Sequence, residues 1–287
     1  MPHISAGNVA LNYVEFGKGD NIVVFIHGNL GCLDWMNLVW PRLPEDIHVF
    51  AFDWRGCGDS DKPSPTADYS NYSITQHAID MIAAIRKLGI KKCCLANHST
   101  GGIICTRMLL MEPALFGKVF CLDPVAPVSV FFDESGIGLF RSMKENYEFA
   151  YSIMAGTSPS LFTPESMQTG QVPQFRETAT QEQRDLFKLI VDKTRVLSDG
   201  IWFGTPINLT KEYQSGELKK KQKNITHQHL ILWGEKDVWI SRSDLEEMTR
   251  EMPNCELKIL PDIGHCMNLE NPAGLAQMFV EYFMGNN

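Results

Sequence analysis

The stretch Leu95-Ala96-Asn97-His98-Ser99-Thr100-Gly101-Gly102 joins an apolar run of strand length to a segment with helical periodicity. A serine on such a sharp turn is held in strained backbone geometry, which exposes its hydroxyl in front of the helix N-terminus. Gly101 and Gly102 let the strand and the helix approach each other closely. The pattern therefore indicates that Ser99 is a nucleophile, while a plain helix cap is the structural alternative.

On both sides of this turn, apolar runs of strand length alternate with segments of helix length. Because strands that alternate with helices form a parallel sheet with right-handed crossovers, we expect an α/β fold. Its central sheet should be mostly parallel and should carry helices on both faces. The predicted strands are residues 9–16 (antiparallel), 22–26, 48–52, 92–96, 119–122, 229–233 and 256–260, and the predicted helices are residues 73–88, 102–111 and 272–284.

Residues 129–215 interrupt this alternation, because the pattern there contains no strands. Two helical stretches, 138–154 and 181–197, are joined by a loop rich in Pro, Ser, Thr and Gln. We therefore divide the chain into an α/β core, residues 1–128 and 216–287, and a helical insertion, residues 129–215. An insertion that leaves the sheet at the carboxyl end of a strand lies over the crevice where such sheets bind ligands, which predicts a lid. A helical layer packed elsewhere is the alternative.

Two further polar residues follow predicted strands. His265 lies in a loop just after the last strand, where it can reach Ser99 and take the proton from its hydroxyl. Asp237 follows the preceding strand and can accept the other N–H of the histidine ring, which fixes the tautomer. Asp123 also follows a strand and is the second candidate for this carboxylate, with Asp237 favoured.

The segment Phe25-Ile26-His27-Gly28-Asn29-Leu30-Gly31 follows a predicted buried strand. Backbone N–H groups in a loop of this kind can point at the oxygen that gains negative charge in acyl transfer. We expect the N–H groups of Asn29 and Thr100 to form an oxyanion hole. A plain glycine turn is the structural alternative for this loop.

With these motifs in hand, the chain resembles the lidded, single-domain α/β-hydrolases, which include esterases, lactonases, haloperoxidase-like enzymes, haloalkane dehalogenases and epoxide hydrolases. Residues 53–60 also match the D-x-R-G-x-G-x-S turn of that family, which we interpret as structural. The resemblance implies an α/β-hydrolase fold with Ser99 as nucleophile, His265 as base and Asp237 as acid. Asn97 departs from the family pattern, which has glycine at this position.

Several side chains in the predicted loops and lid should face the crevice. They are mostly large and apolar, so they can form a substrate pocket, although residues of this kind are more often part of the core. His98 is expected to line or support the pocket rather than to act as a base. The predicted substrate-binding residues are His98, Trp35, Phe131, Trp202, Trp239 and Met267.

Composition excludes other classes of function. The net charge of −8 and the single short basic run, Lys219-Lys220-Lys221 with Lys223, argue against a nucleic-acid partner. The apolar runs are shorter than the roughly 20 residues that a bilayer requires, and the N-terminus resembles no leader, so we expect a cytoplasmic protein without membrane association. The eight cysteines lie mostly in apolar runs, which predicts free buried thiols.

The function that these residues imply is that of a cofactor-independent serine hydrolase. We expect it to cleave a small or medium apolar carboxylic ester or lactone through an acyl-enzyme, with no metal and no cofactor, since no cluster has ligand spacing. Haloalkane dehalogenases and epoxide hydrolases carry aspartate as nucleophile, so Ser99 argues against both activities. A carbon–carbon bond hydrolase, a ligand receptor on the same scaffold and a perhydrolase-like side reaction remain alternatives. The pattern makes no prediction about the oligomeric state.

Overall fold

The computed structural model describes residues 2–168 and 170–285. One sheet of eight strands forms its centre. Every predicted strand is present, and a short additional strand precedes the first of them. The strands are β1 (His3–Ala6), β2 (Val9–Phe16), β3 (Asn21–Ile26), β4 (Ile47–Phe52), β5 (Cys93–His98), β6 (Phe116–Leu122), β7 (His229–Gly234) and β8 (Cys255–Leu260).

The strands of this sheet follow the order β1-β2-β4-β3-β5-β6-β7-β8. β1 pairs antiparallel with β2, which confirms the antiparallel hairpin strand predicted from the first residues, and β2 also pairs antiparallel with β4. All the other pairings are parallel. The central strands are buried along most of their length, which explains their continuous apolar runs. The parallel strands therefore deliver their carboxyl ends, and the loops that follow, to one edge of the sheet.

Helices flank this sheet, and five of the ten α-helices in the described residues lie between β6 and β7. The helices are α1 (Ile74–Lys87), α2 (Gly101–Met111), α3 (Glu134–Glu145), α4 (Tyr147–Ala155), α5 (Gln181–Lys193), α6 (Thr205–Ser215), α7 (Glu217–Lys221), α8 (Arg242–Glu251), α9 (Met267–Glu270) and α10 (Pro272–Met284). The Ser73 side chain accepts a hydrogen bond from the N–H of Gln76, so α1 begins at the predicted cap.

The single helix predicted over residues 138–154 is in fact two helices. The backbone of Asn146 is extended, and its side chain caps α4 by accepting a hydrogen bond from the N–H of Phe149. Asparagine competes with the helical backbone in this way, so the apolar periodicity continues across a break in the helix. The result is an elbow between α3 and α4.

Residues 129–215, the helical segment, contain α3 to α6 and are tied to the loop that carries His265. The N–H of Cys266 donates to the carbonyl oxygen of Thr157 at 3.0 Å. Glu270 accepts hydrogen bonds from the N–H of Gly264 at 2.8 Å and from the N–H of Ser160 at 3.0 Å. Two of these bonds, Cys266 to Thr157 and Ser160 to Glu270, join the helical segment to the histidine loop, and the third ties Glu270 to the loop itself.

The turn at residues 53–60 is structural, as the sequence indicates. Asp53 accepts hydrogen bonds from the N–H of Leu33 and from the side chain of Asn12, while the buried Arg55 pairs with Asp80 at 2.5 Å. All eight cysteines lie in the described residues, and each is free. Among the helices of the described chain, none combines the length and the apolar character that a bilayer crossing demands.

Candidate active site

Ser99 lies on a strained turn between β5 and α2. Its φ of 52° is in the left-handed region, which a serine rarely adopts. Its N–H donates to the carbonyl oxygen of Leu122 at 3.0 Å, and its carbonyl oxygen accepts from the N–H of Val125 at 2.8 Å. A Cβ on Gly101 would lie 2.2 Å from the carbonyl oxygen of Ile26, so only glycine fits after the turn. This is the strand–turn–helix geometry that the pattern predicts.

Asn97 fits the site although the family pattern has glycine there. Its side chain is fully buried, and Asn97 of β5 is paired in register with Cys121 of β6. The amide Nδ2 donates a hydrogen bond to the Cys121 sulfur at 3.3 Å. Cys121, a small residue on the next strand whose sulfur accepts a weak hydrogen bond, thus accommodates the asparagine side chain.

Asp237 and His265 form a short hydrogen bond at the carboxyl ends of β7 and β8. The distance between Nδ1 of His265 and Oδ2 of Asp237 is 2.7 Å, and the Asp237 side chain is fully buried. Burial raises the pKa of Asp237, but the charge and hydrogen bond of His265, with the N–H groups of Trp239 and Ile240, outweigh it and lower this pKa. Asp237 is therefore ionised and holds the ring so that Nε2 is the free nitrogen.

Ser99 and His265 line the same cavity. The Ser99 hydroxyl makes no hydrogen bond with any residue in the two described ranges. Bonds between a nucleophile and its base are often long until substrate binds. The structure therefore brings the two side chains to one cavity without joining them directly.

The loop after β3 reaches the same cavity with Asn29. Within the described chain, the N–H groups of Asn29 and Thr100 donate no hydrogen bond to another residue, so both are free to bind an oxyanion. His27 supports this loop from behind: its Nδ1 donates to the carbonyl oxygen of Gly28 at 2.7 Å, and its ring stacks on Trp54 at 4.6 Å.

The cavity has a volume of about 180 Å³ and is mostly apolar. The residues found around it include no Lys, Arg, Asp or Glu within the described ranges. Trp35 and Trp239 belong to the lining as predicted, whereas the other apolar side chains were not expected from the sequence. These additional apolar residues are Leu30, Val125, Val130, Phe132, Phe140, Met143, Ile153, Met154, Leu209, Val238 and Ile240.

A model of the family described as alpha/beta hydrolase fold matches residues 21–272. The chain belongs to the alpha/beta hydrolase family. Epoxide hydrolase 2 of Caenorhabditis elegans is 21% identical over 287 residues, which cover 98% of this chain and 78% of that protein. The enol-lactonase from Burkholderia xenovorans LB400 superimposes with a TM-score of 0.79 at 16% identity, over 99% of this chain and 100% of that chain. An esterase from Exiguobacterium antarcticum has a TM-score of 0.78 at 22% identity, with 99% of both chains covered.

These likenesses confirm the predicted α/β-hydrolase fold. In this member of the alpha/beta hydrolase family, His98 lies in the cavity wall beside Ser99. Its Nε2 donates to the carbonyl oxygen of His265 at 2.9 Å, and its ring contacts Trp35 at 5.0 Å between centroids. Burial, followed by the charge of His265, lowers the pKa of His98 well below its usual range. His98 is therefore a neutral side chain that ties the nucleophile turn to the histidine loop.

The structure corrects three of the predicted pocket residues. Phe131 is 52% exposed and packs on Tyr213 at the surface, while its neighbour Phe132 lines the cavity. Trp202 lies in a π-helical turn (Gly200–Gly204) and is buried in the hydrophobic core. Met267 begins α9 and is also buried in the core, one residue beyond the lining residue Cys266. In each case the apolar type is right, but the direction of the side chain depends on backbone geometry that periodicity does not reveal.

Asp123, the second candidate for the acid, is fully buried after β6 and is not among the described residues that line the cavity. One oxygen of each carboxyl and one ring nitrogen of His265 lie within 4.8 Å of one another. These three residues are the group in the described chain that could hold a metal ion. In the structure, His265 Nδ1 and Asp237 Oδ2 bind each other instead. The short contact to histidine thus belongs to Asp237.

Proposed function

We propose that this chain is a serine hydrolase that cleaves a small or medium apolar carboxylic ester or lactone through an acyl-enzyme. One observation carries the proposal. Ser99, strained at a φ of 52°, opens on the same cavity as His265, whose Nδ1 lies 2.7 Å from Oδ2 of Asp237. A hydroxyl, a base and an orienting carboxylate in this order are the elements of nucleophilic acyl transfer.

The reaction begins when Nε2 of His265 takes the proton of the Ser99 hydroxyl as its oxygen attacks the carbonyl carbon. The N–H groups of Asn29 and Thr100 bind the oxyanion, and Asp237 stabilises the imidazolium. His265 then gives its proton to the leaving alkoxide oxygen, which yields the alcohol and the acyl-enzyme. Water, deprotonated by the same ring, attacks the ester carbonyl, and the proton returns to Ser99 as the acid leaves. With a lactone, the alcohol and the acid are one molecule.

The cavity favours a neutral, apolar substrate. Its described lining carries no Lys or Arg to bind a carboxylate, which disfavours the dienoates cleaved by carbon–carbon bond hydrolases. The volume of about 180 Å³ suits a short acyl or alcohol group. The C. elegans relative is named an epoxide hydrolase, but this chain has serine where the family resemblance gives those enzymes an aspartate nucleophile. An acyl-enzyme is the intermediate that a serine forms.

The helical segment fits the role of a lid over an α/β core formed by residues 1–128 and 216–287. Phe140 and Met143 from α3, with Ile153 and Met154 from α4, contribute one wall of the cavity. Because these residues line the same cavity as Ser99, the segment would exclude water and set the length of the acyl chain.

The test is turnover of 4-nitrophenyl acetate and butyrate by the purified protein, with Ser99→Ala as the key variant. We expect measurable kcat/KM, labelling by a fluorophosphonate probe, and loss of both in Ser99→Ala. Ser99→Gly repeats the loss without strain at a positive φ. The control is Ser152→Ala, which removes a hydroxyl bonded only within α4 and should keep full activity.

An unreactive wild-type protein that also resists the fluorophosphonate would refute this function. Turnover below about one per minute, together with a rise in Tm on adding ester or lactone, would favour a ligand receptor instead.

A further inference from the structure

We propose that Asp123 is a positioning residue that carries a proton and donates it in a hydrogen bond to Asp237. This inference rests on the proposed function, because its effect on activity passes through Asp237 and His265. It extends the site from three side chains to four.

One carboxyl oxygen of Asp123 accepts a hydrogen bond, and the other receives none. Oδ1 accepts a hydrogen bond from the N–H of Gly234 at 2.8 Å. Oδ2 is buried and receives no hydrogen bond from any N–H or O–H group in residues 2–168 or 170–285. A buried carboxylate oxygen without a donor is costly, whereas a protonated oxygen can itself donate. The hydrogen-bond neighbour available to it is the Asp237 carboxyl group.

The Asp237 carboxylate has room to accept a hydrogen bond from a protonated Asp123. Asp237 accepts one hydrogen bond from His265 and two from the backbone, the N–H of Trp239 at 2.7 Å and that of Ile240 at 3.2 Å. An ionised carboxylate has about four acceptor positions, so a proton on Asp123 supplies the fourth donor.

Two fully buried carboxyl groups this close together cannot both ionise, so one of them holds a proton. The hydrogen bonds and charges around the two carboxyl groups determine which of them carries the proton. Three N–H donors stabilise the charge on Asp237, whereas Gly234 alone donates to Asp123. Burial first, and then the charge of Asp237, raise the pKa of Asp123 well above its ordinary value, while the Gly234 N–H acts in the opposite direction.

The other titratable groups that face Asp123 are His265, Glu270 and the Cys266 thiol. Glu270 raises the pKa of Asp123 further, and burial raises the pKa of Cys266, so that thiol stays neutral. Asp237 and Glu270 therefore both favour a proton on Asp123, and the Gly234 N–H opposes it.

The role of Asp123 follows from its two hydrogen-bond partners, Gly234 and Asp237, which lie at the two ends of one turn. Gly234 ends β7, and its carbonyl oxygen accepts from the N–H of Asp237 at 2.9 Å, which forms the turn that presents the acid. Asp123 holds this turn at its start through Gly234 and at its end through the Asp237 carboxyl. It thereby fixes the plane of the carboxylate that orients His265.

The experiment compares Asp123→Asn and Asp123→Gly with Asp237→Asn, using kcat/KM on the ester across pH, and Tm. An asparagine amide donates to Asp237 and accepts from Gly234 as the protonated acid does. We expect Asp123→Asn to stay within about threefold of wild type, with the acid limb of its pH profile unmoved. Asp123→Gly, which suits the φ of 41° at this position, should lose about 10- to 100-fold in kcat at similar KM. Asp237→Asn should lose about 10⁴-fold.

Three results would overturn the proposal. The first is an Asp123→Asn variant that is as inactive as Asp237→Asn, with its acid limb moved to lower pH, since this marks an ionised Asp123. The second is full activity in a folded Asp123→Gly. The third is stimulation of the wild type by Zn²⁺ or Mg²⁺ that Asp123→Asn abolishes.

A readout independent of turnover separates this proposal from the proposed function. Infrared spectra of protein with isotope-labelled aspartate should show a protonated carboxyl band at neutral pH that disappears in Asp123→Asn. A wild type without esterase activity but with this band would refute the proposed function and keep the proton on Asp123. Esterase activity without the band would refute the proton on Asp123 and keep the proposed function.

Discussion

Nε2 of His98 lies 2.9 Å from the carbonyl oxygen of His265, 167 residues away in the chain. The two rings also contact each other, with centroids 4.6 Å apart. A carbonyl oxygen only accepts hydrogen bonds, so Nε2 of His98 is the donor and the ring is fixed in one tautomer. The residue before the nucleophile thus anchors the backbone of the proposed base.

This anchor predicts a specific loss of rate. We expect His98→Ala to lower kcat for the chromogenic ester about tenfold, because the His265 loop loses a buried hydrogen bond and a ring contact. His98→Gln can donate from its amide to the same carbonyl and should recover most of that loss. Steady-state kinetics of the two variants test the prediction. Equal losses in both would show that the imidazole itself is required.

Met143 should limit the size of the substrate. It is buried in α3 and lines the cavity, so Met143→Ala extends the space available to an acyl chain. With about 0.8 kcal/mol for each buried CH₂ group, we expect kcat/KM for the hexanoate over the acetate to rise at least fivefold. The measurement is a panel of 4-nitrophenyl esters of increasing chain length.

The matched control for Met143 is Met248→Ala, which empties a buried site in α8 outside the cavity. Both variants should lose about 2–5 kcal/mol of unfolding free energy. If both change the chain-length preference equally, the effect comes from loss of stability rather than from the shape of the cavity.

His77 should make the protein less stable in mild acid. Burial, followed by the charges of Arg55 and His27, lowers its pKa from 6.5 to about 3. Between these two values the unfolded chain binds a proton that the folded chain does not. The unfolding free energy therefore falls as pH falls below 6.5, by about 2 kcal/mol at pH 5 from this residue.

Urea unfolding of wild type and His77→Phe at pH 8, 7, 6 and 5 tests this prediction. The phenylalanine keeps an aromatic ring beside Trp54 and Tyr72, so its packing cost should be the same at every pH. We expect the variant to lose less stability between pH 7 and pH 5. Parallel curves for the two proteins would contradict the assignment.

The buried ion pair of Arg55 and Asp80 predicts a large effect of a single substitution. Both Nε and Nη2 of Arg55 donate to Asp80, and both side chains are buried. Arg55→Met leaves a buried carboxylate without its cation and should cost about 3–5 kcal/mol of unfolding free energy. Arg86→Met removes an exposed pair with Glu112 and should cost less than about 1 kcal/mol. Chemical denaturation of both variants makes the comparison, and similar costs would contradict it.

Most of the α/β architecture could be predicted from local patterns. Continuous apolar runs mark the buried strands, and Ser73 marks the start of α1, because burial on both faces and capping leave their trace in neighbouring residues. The helices α6, α7, α8 and α9 were not predicted. Asn146 also shows the limit of prediction from periodicity, since one side-chain hydrogen bond divides α3 from α4 although the apolar spacing continues without a break.

The residues of the candidate site were visible in the sequence because chemistry restricts them to a few polar types at strand ends. Ser99, Asp237 and His265 each follow a strand, and parallel strands deliver such positions to one edge. Their distances, and the choice of Asp237 over Asp123 as partner of His265, depend on side-chain directions across the sheet. Strand order and register set those directions, and neither is a local property of the chain.

The pocket wall illustrates the same division. The aromatic and aliphatic side chains in residues 129–215 could be predicted to lie in a core or a pocket, because their residue type indicates burial. Residue type does not indicate which of the two places a side chain occupies. Whether Phe132 or Phe131 faces the cavity is decided by how the helical segment packs on the sheet. The sequence by itself thus determined the chemical types and the order of the elements, whereas tertiary packing decided which side chains meet, because contacts between distant residues arise only when the elements are assembled.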